Sequence, residues 1–284
     1  MEQQQLDFLS KKLKEQIDYN DAEHFKDDEP RWHLGASQIG ADCMRQVAYS
    51  FRWMAVENNI SGRVHRLFNR GHIEEKRIDD SLRRSGWTVH VPTEETKEQF
   101  RYSAVMGFYG GEADGVASHP DYMNGQWLLV EKKTHNTKSF SNLVSKGLET
   151  AKPVHFAQMS CYGKALGLEY GLYYPVNKND DDIEPKFIKL DRQLAEQMEA
   201  KAHHVITTES LPRKIKGNSE TFYVCKMCPA YGICQKGAKV PVNCRSCKNG
   251  KAAENGQWYC KLFEGIIPSR EFVAKGCDKW EQFE

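Results

Sequence analysis

The sequence predicts a mixed α/β layer fold with a Cys-rich C-terminal metal module, and three observations carry that expectation. A long amphipathic pattern precedes a run of short extended segments. Helical and extended patterns then follow in the order helix, strands, helix, strand. Seven of the nine cysteines lie beyond residue 220. At 284 residues the chain can bury a substantial core, enough for one large domain with a small appendage.

The elements follow in order. Leu6, Leu9, Leu13 and Ile17 recur at three or four positions and mark an amphipathic N-terminal helix, which the acidic stretch Asp27, Asp28, Glu29, Pro30 ends. A second helix is expected from Ser37 through Trp53. A third runs from an N-cap at Ser61 to a stop at Gly86, with Val64, Leu67, Phe68, Ile78 and Leu82 on its buried side. From Trp87 the pattern becomes extended: Trp87 to Val91, Tyr102 to Tyr109, a Gly110-Gly111 turn into Glu112 to Ala117, then Trp127 to Thr134. Pro153 to Leu166 reads as a helix, Tyr170 to Val176 and Phe187 to Leu190 as strands, and Leu194 to Ile206 as a helix.

Charge excludes one simple class. With 40 Lys+Arg against 39 Asp+Glu the net charge is +1, so any nucleic-acid surface must be a local patch. Arg63, Arg66, Arg70, Arg83 and Arg84 offer one such patch or a solvated helix face. The longest apolar runs are short and the N-terminus opens with Met1, Glu2 and three glutamines, which predicts a soluble, unexported, cytoplasmic protein.

The spacing Glu-x-Lys recurs at Glu74/Lys76, Glu95/Lys97, Glu131/Lys133, Glu184/Lys186 and Glu199/Lys201, so the tripeptide alone identifies nothing. Only Glu131 and Lys133 follow an apolar strand, Trp127-Leu128-Leu129-Val130, where period-two geometry puts both on one face and turns Lys132 the other way. Upstream, Gly111-Glu112-Ala113-Asp114-Gly115 places a carboxylate between glycines at a strand start. Asp114 and Glu131 converging on one point would repel without a cation, and oxygen donors suit Mg²⁺ or Mn²⁺. Such an ion can polarise a phosphoryl oxygen and activate water, with Lys133 stabilising charge on the phosphate. A further ligand is expected on the helix bearing Gly71-His72-Ile73-Glu74-Glu75: His72 shares a face with Glu75, which we favour over Glu74, and an imidazole tilts the choice toward Mn²⁺.

The order Gly-His and Glu on a helix, Gly-x-x-Asp (Gly111 to Asp114), Glu-x-Lys (Glu131 to Lys133) and Gln-x-x-x-Tyr (Gln158 to Tyr162) resembles the RecB/AddB-type PD-(D/E)XK nucleases over about residues 62 to 177. The resemblance implies a restriction-endonuclease-like core, a mixed sheet flanked by helices. It assigns the metal to positions matching His72, Asp114 and Glu131 and the catalytic role to Lys133. Gln158 and Tyr162 would organise the site and contact DNA.

Cys225-x2-Cys228-x5-Cys234 supplies three thiolates, one short of a tetrahedral or cluster site, and Cys43 is the candidate fourth. This pattern is similar to AddB and the CRISPR-associated (Cas-four-type) exonucleases, which implies a 4Fe-4S cluster; the thiolates themselves accept zinc as well. Cys244-x2-Cys247-x12-Cys260-x16-Cys277, with Trp258 and Trp280 nearby, suits structural Zn²⁺ in a module too small to fold on apolar burial alone. Cys161, between Gln158 and Tyr162, reads as a small buried residue. The expected layout is a helical region at 1–60 contributing Cys43, a nuclease core at 61–210, an iron-sulfur segment at 211–240 and a zinc module at 241–284.

These features lead to a Mg²⁺- or Mn²⁺-dependent deoxyribonuclease. The family resemblance implies an exonuclease on single-stranded DNA ends running 5′ to 3′, in recombination, repair or phage DNA processing. A structure-selective endonuclease and a non-catalytic DNA-binding or assembly subunit are the alternatives.

Overall fold

A computed structural model describes residues 3–24, 30–55, 61–215 and 222–284. The N-terminal region supplies α1 (Gln3–His24), β1 (Leu34–Gly35), α2 (Ala36–Ile39) and α3 (Met44–Phe51). Helix α4 (Gly62–Arg84) leads into β2 (Thr88–His90), α5 (Lys97–Phe100), β3 (Arg101–Ala104), β4 (Tyr109–Glu112), β5 (Val116–Ser118) and β6 (Leu128–His135). Then come α6 (Thr137–Ala151), α7 (Pro153–Leu166), β7 (Tyr170–Asn177), β8 (Lys186–Lys189) and α8 (Arg192–Thr207). The chain closes with α9 (Tyr223–Lys226), α10 (Tyr231–Lys236), β9 (Gly250–Ala253), β10 (Gln257–Cys260), β11 (Gly265–Ile266) and α11 (Arg270–Lys275).

The architecture is mixed α/β, with mixed sheets flanked by helices. The main sheet has five strands in the order β2-β5-β6-β7-β8. Strands β6 and β7 run parallel, with Glu131 opposite Tyr173, while the other neighbours are antiparallel. A parallel pair needs a long crossover, and α6 with α7 provide it. Alternation along β6 sends Leu128 and Val130 toward Ile78 and Leu82 of α4. Leu129 enters the opposite core with Met159, Tyr173 and Leu190. A strand buried on both faces in this way becomes the fixed axis from which Glu131 and Lys133 project.

A smaller sheet, β1-β4-β3, pairs Leu34 and Gly35 in parallel with Tyr109 and Gly110 and so attaches the N-terminal region to the core. A third sheet, β11-β10-β9, presents Trp258 to the same core, edge-on to Phe108 and tilted against Phe51.

Several sequence expectations need correction. The helix expected over Ser37 to Trp53 is split into α2 and α3 around Gly40, where a Cβ would come within 2.9 Å of Val154 Cα; close approach to α7 takes precedence over helix continuity. The single strand expected from Tyr102 to Tyr109 is the hairpin β3-β4, turned through Val105, Met106 and Gly107 at positive φ. Gly110 and Gly111 are strand residues rather than the turn: a side chain at Gly110 would collide with the Tyr102 carbonyl at 1.8 Å. Helix α6 was not anticipated. Leu6, Leu9, Leu13 and Ile17 form the expected stripe on α1 but stay exposed, as do Leu67 and Phe68 on α4, whereas Ile78 and Leu82 are buried. Ser61 takes the N-cap position without a side-chain cap bond. The acidic residues 27–29 expected to end α1 lie outside the described residues.

Candidate active site

Period two along β6 puts Glu131, Lys133 and His135 on one face of the sheet. Glu131 is fully buried. Its carboxylate meets Lys133 Nζ at 2.5 Å and accepts from Gln158 Nε2 at 3.0 and 3.2 Å. Asp114, in the loop between β4 and β5, accepts from the Lys132 backbone N–H at 3.2 Å and from Lys133 Nζ at 3.4 Å. The ammonium therefore bridges the two carboxylates. On the other face Lys132 donates to both Asp79 oxygens, at 2.7 and 2.9 Å, and so fixes α4 to β6 in a buried ion pair.

Electrostatics follow from this crowding. Burial, and then the neighbouring Asp114 charge, push the Glu131 carboxyl up to about 7 despite Lys133. Burial alone would lower Lys133, but Glu131 and Asp114 outweigh it and hold the ammonium above its ordinary range. Glu75 is also raised, by burial first and by Asp114 second, with His72 and Lys133 opposing. Glu75 thus lies within electrostatic reach of Asp114, whereas buried Glu74 accepts from Arg77 Nη1 at 2.9 Å. His72 sits 3.7 Å from Glu75 with most of its side chain in solvent. Lys133, Glu75 and His72 line a cleft of about 1850 Å³.

Tyr162, one helical turn beyond Gln158 on α7, is buried, with its phenol raised by burial and by the Glu131 and Asp114 charges. It packs over Gly111, where a Cβ would stand 2.4 Å from the hydroxyl. Gln158 thus reaches the Glu131 carboxylate from α7 while Lys133 reaches it along the strand, and Tyr162 packs nearby over Gly111. Asp114 and Glu131 bring carboxylate oxygens to the same ammonium, and oxygen is the donor that a hard divalent cation prefers. Among the described residues no group of three or more His, Cys, Asp or Glu side chains stands ready to hold a metal ion.

Sequence reasoning missed the groups that continue this face. Tyr173 Oη lies 2.9 Å from His135 Nε2 and 2.8 Å from His155 Nδ1. Burial and nearby lysines lower His135 to about 4 and His155 to about 3. His135 was within reach of the same period-two rule that selected Glu131 and Lys133, and His155 lies three residues before Gln158 on the helix; Tyr173 gave no signal.

The expected Arg patch is mostly engaged elsewhere. Arg66 pairs with Asp18 and Asp21 of α1, Arg70 donates to the Lys178 carbonyl at 2.6 Å, and Arg83 reaches Asp80 at 3.4 Å.

Eight of the cysteines gather around two small cavities. Cys43, Cys225, Cys228 and Cys234 line one small cavity, and the Cys228 thiol is raised by burial and by the other three. Cys244, Cys247, Cys260 and Cys277 line another, where burial and then the other three push Cys244 up to about 11. Neither group of four stands ready as a metal site among the described residues. Cys161 is buried within 3.2 Å of Tyr109 Oη, apart from both groups.

No family model and no curated protein matches the sequence. Among solved structures, an alkaline exonuclease (LHK-Exo) from Laribacter hongkongensis is 16% identical, covering 62% of this chain and 87% of that one, with a TM-score of 0.43. The protein SSO0001 is 18% identical, covering 80% and 98%, with a TM-score of 0.45. A phage related exonuclease from Haemophilus somnus 129PT is 18% identical, covering 47% and 66%, with a TM-score of 0.34. Likenesses this distant do not bear on the chemistry, which rests on the site itself. Among the described residues no helix is long and apolar enough to cross a membrane.

Proposed function

We propose that this chain is a Mg²⁺- or Mn²⁺-dependent deoxyribonuclease of the PD-(D/E)XK type, acting as an exonuclease on single-stranded DNA ends. One observation carries the reading: Lys133, which lines a large cleft, lies 2.5 Å from Glu131 and 3.4 Å from Asp114, with Gln158 fixing the buried carboxylate from a second element. Asp114 and Glu131 would hold the ion, with Glu75 the third acid near it. When bound, that ion supplies Lewis-acid polarisation of the phosphoryl oxygen and a water of lowered pKa. Lys133 stabilises the charge that grows on the phosphate as the phosphorus-oxygen bond breaks. Gln158 holds the Glu131 carboxylate in one orientation, and Tyr162 closes the site against Gly111. His72 is exposed, and joins the ligands only by turning in from solvent.

The two cysteine groups have separate roles in this reading. Cys43, Cys225, Cys228 and Cys234 hold a 4Fe-4S cluster that staples the N-terminal region to the segment after α8. Cys244, Cys247, Cys260 and Cys277 hold a structural Zn²⁺. Support for both is the lining of one cavity by each complete set. Anaerobically purified protein is expected to be brown, and a colourless protein containing only zinc contradicts the cluster.

The test uses end-labelled linear DNA and a covalently closed single-stranded circle with Mn²⁺, wild type beside Asp114→Ala. An exonuclease degrades the linear strand alone and the variant degrades neither. Cutting of the circle identifies an endonuclease; no hydrolysis with retained binding identifies a binding subunit.

A further inference from the structure

The cleft lined by Lys133 and Glu75 also holds two lysines that the candidate site does not use. Lys152 stands at the N-cap of α7, and its ammonium donates to Ser139 Oγ at 2.7 Å. His135 Nδ1 is 3.1 Å from the same hydroxyl, and Lys178 lines the cleft beside them. Among the described residues no carboxylate pairs with Lys152 or Lys178, whereas the other two lysines lining the cleft, Lys132 and Lys133, both have acidic partners. His135 and His155, tied through Tyr173, are held neutral by burial and the lysines around them, so they bring hydrogen-bonding atoms to the cleft without cancelling the charge of those lysines.

An ammonium has three donors, and a neutral hydroxyl takes one of Lys152's. Position adds a second argument. His135 is two residues beyond Lys133 on the same face of β6, a step of about 7 Å along the strand. That step is comparable to the separation of neighbouring phosphates along a nucleic-acid strand.

We propose that Lys152, with Ser139 and Lys178, forms a second phosphate subsite that takes the phosphodiester adjacent to the scissile one on a single nucleic-acid strand. The proposal rests on reading Asp114, Glu131 and Lys133 as the cleavage centre. It makes the strand lie along β6 toward the start of α7, and it sets which bond is presented to Lys133.

The test is metal-free binding of a fluorescein-labelled single-stranded oligodeoxynucleotide to the full chain across a salt series. Wild type is compared with Lys152→Ala, Lys152→Gln and Lys152→Arg, with melting curves for each. Loss of one phosphate contact makes the slope of log affinity against log salt shallower by about 0.7 in the Ala and Gln variants, and Arg restores it. With Mn²⁺, KM for the same strand rises several-fold while kcat changes less. An unchanged slope and KM in a folded Ala or Gln variant overturns the subsite. Should both fail to fold, Lys178→Ala carries the same slope measurement with the same two outcomes. A wild type that never cleaves, yet loses slope on substitution, overturns the nuclease reading and leaves the subsite standing.

Discussion

Gly111 is one residue on which the site's geometry turns. A methyl there would meet the Tyr162 hydroxyl at 2.4 Å, so Gly111→Ala is expected to displace Tyr162 and lower cleavage, with an overpacking cost of about 1–3 kcal/mol. Adding Tyr162→Phe removes the colliding oxygen and should recover stability in urea melts; no recovery would mean that the contact does not matter. Glu131 gives a pH prediction. Its folded-state pKa of about 7 lies above the ordinary 4.5, so folding takes up a proton there and Glu131's own contribution to stability, present below 4.5, is lost as pH rises through about 7. His135 and His155, lowered to about 4 and about 3 from 6.5, act in the other direction: their contribution is present above 6.5 and is lost as pH falls toward those values. Between about pH 5 and 7 the Glu131 contribution therefore offsets part of what the two histidines add, so Glu131→Gln should make stability rise more steeply with pH over that range, as followed by melting temperature; an unchanged slope would contradict the raised Glu131. The sequence made Glu131 and Lys133 legible because strand alternation is a local rule. The burial that raises Glu131 depends on what packs over it, and no local pattern encodes that.

At the scale of elements, β6 holds two functions apart. Odd positions face α7 and the cleft, and Lys132 faces α4. Removing one partner of the Lys132–Asp79 pair leaves a charge buried without compensation, so Lys132→Met is expected to cost about 3–5 kcal/mol in urea unfolding. Lys132→Met with Asp79→Leu should regain much of that; additive losses in the double variant would show that the pair is not coupled. Most strands and α7 were readable from apolar periodicity. Helix α6 was not, because its first half is rich in Ser, Thr and Lys and Gly147 breaks it at φ 75. The paired glycines at 110 and 111 read as a turn when chain proximity, rather than reversal, is what they serve.

In the whole molecule the two ends of the chain meet. Arg245, between Cys244 and Cys247, is fully buried, with its guanidinium 4.4 Å from the Phe51 ring centre, 4.7 Å from Trp53 and 4.9 Å from Trp258. Arg52 donates to the Arg245 and Gly250 carbonyls at 3.1 and 3.2 Å. Burial lowers both guanidinium groups, Arg52 to about 9. Cations within aromatic surroundings gain a part of what desolvation costs. Nothing in composition pointed to this joint, since arginine is ordinarily read as a surface residue. Likewise the net charge of +1 gave no sign of Lys152 and Lys178, which line the cleft with no carboxylate paired to them among the described residues. If Cys244, Cys247, Cys260 and Cys277 hold Zn²⁺, stripping it with a strong chelator loosens the knuckle that carries Arg245. A loss of about 2 kcal/mol would lower the melting temperature by roughly 4–8 °C. Cys247→Ser should reproduce the shift, and equal melting with and without chelator would mean free thiols.

The most direct measurement is single-turnover cleavage of an end-labelled single-stranded oligonucleotide in Mn²⁺ by wild type, Asp114→Ala and Lys133→Ala, with metal-free binding recorded beside it. A group that stabilises transition-state charge is worth about 10²–10³ in rate, so each variant should lose at least that while both still fold and bind the strand without metal. Equal cleavage rates for wild type and either folded variant would contradict the assignment of the site.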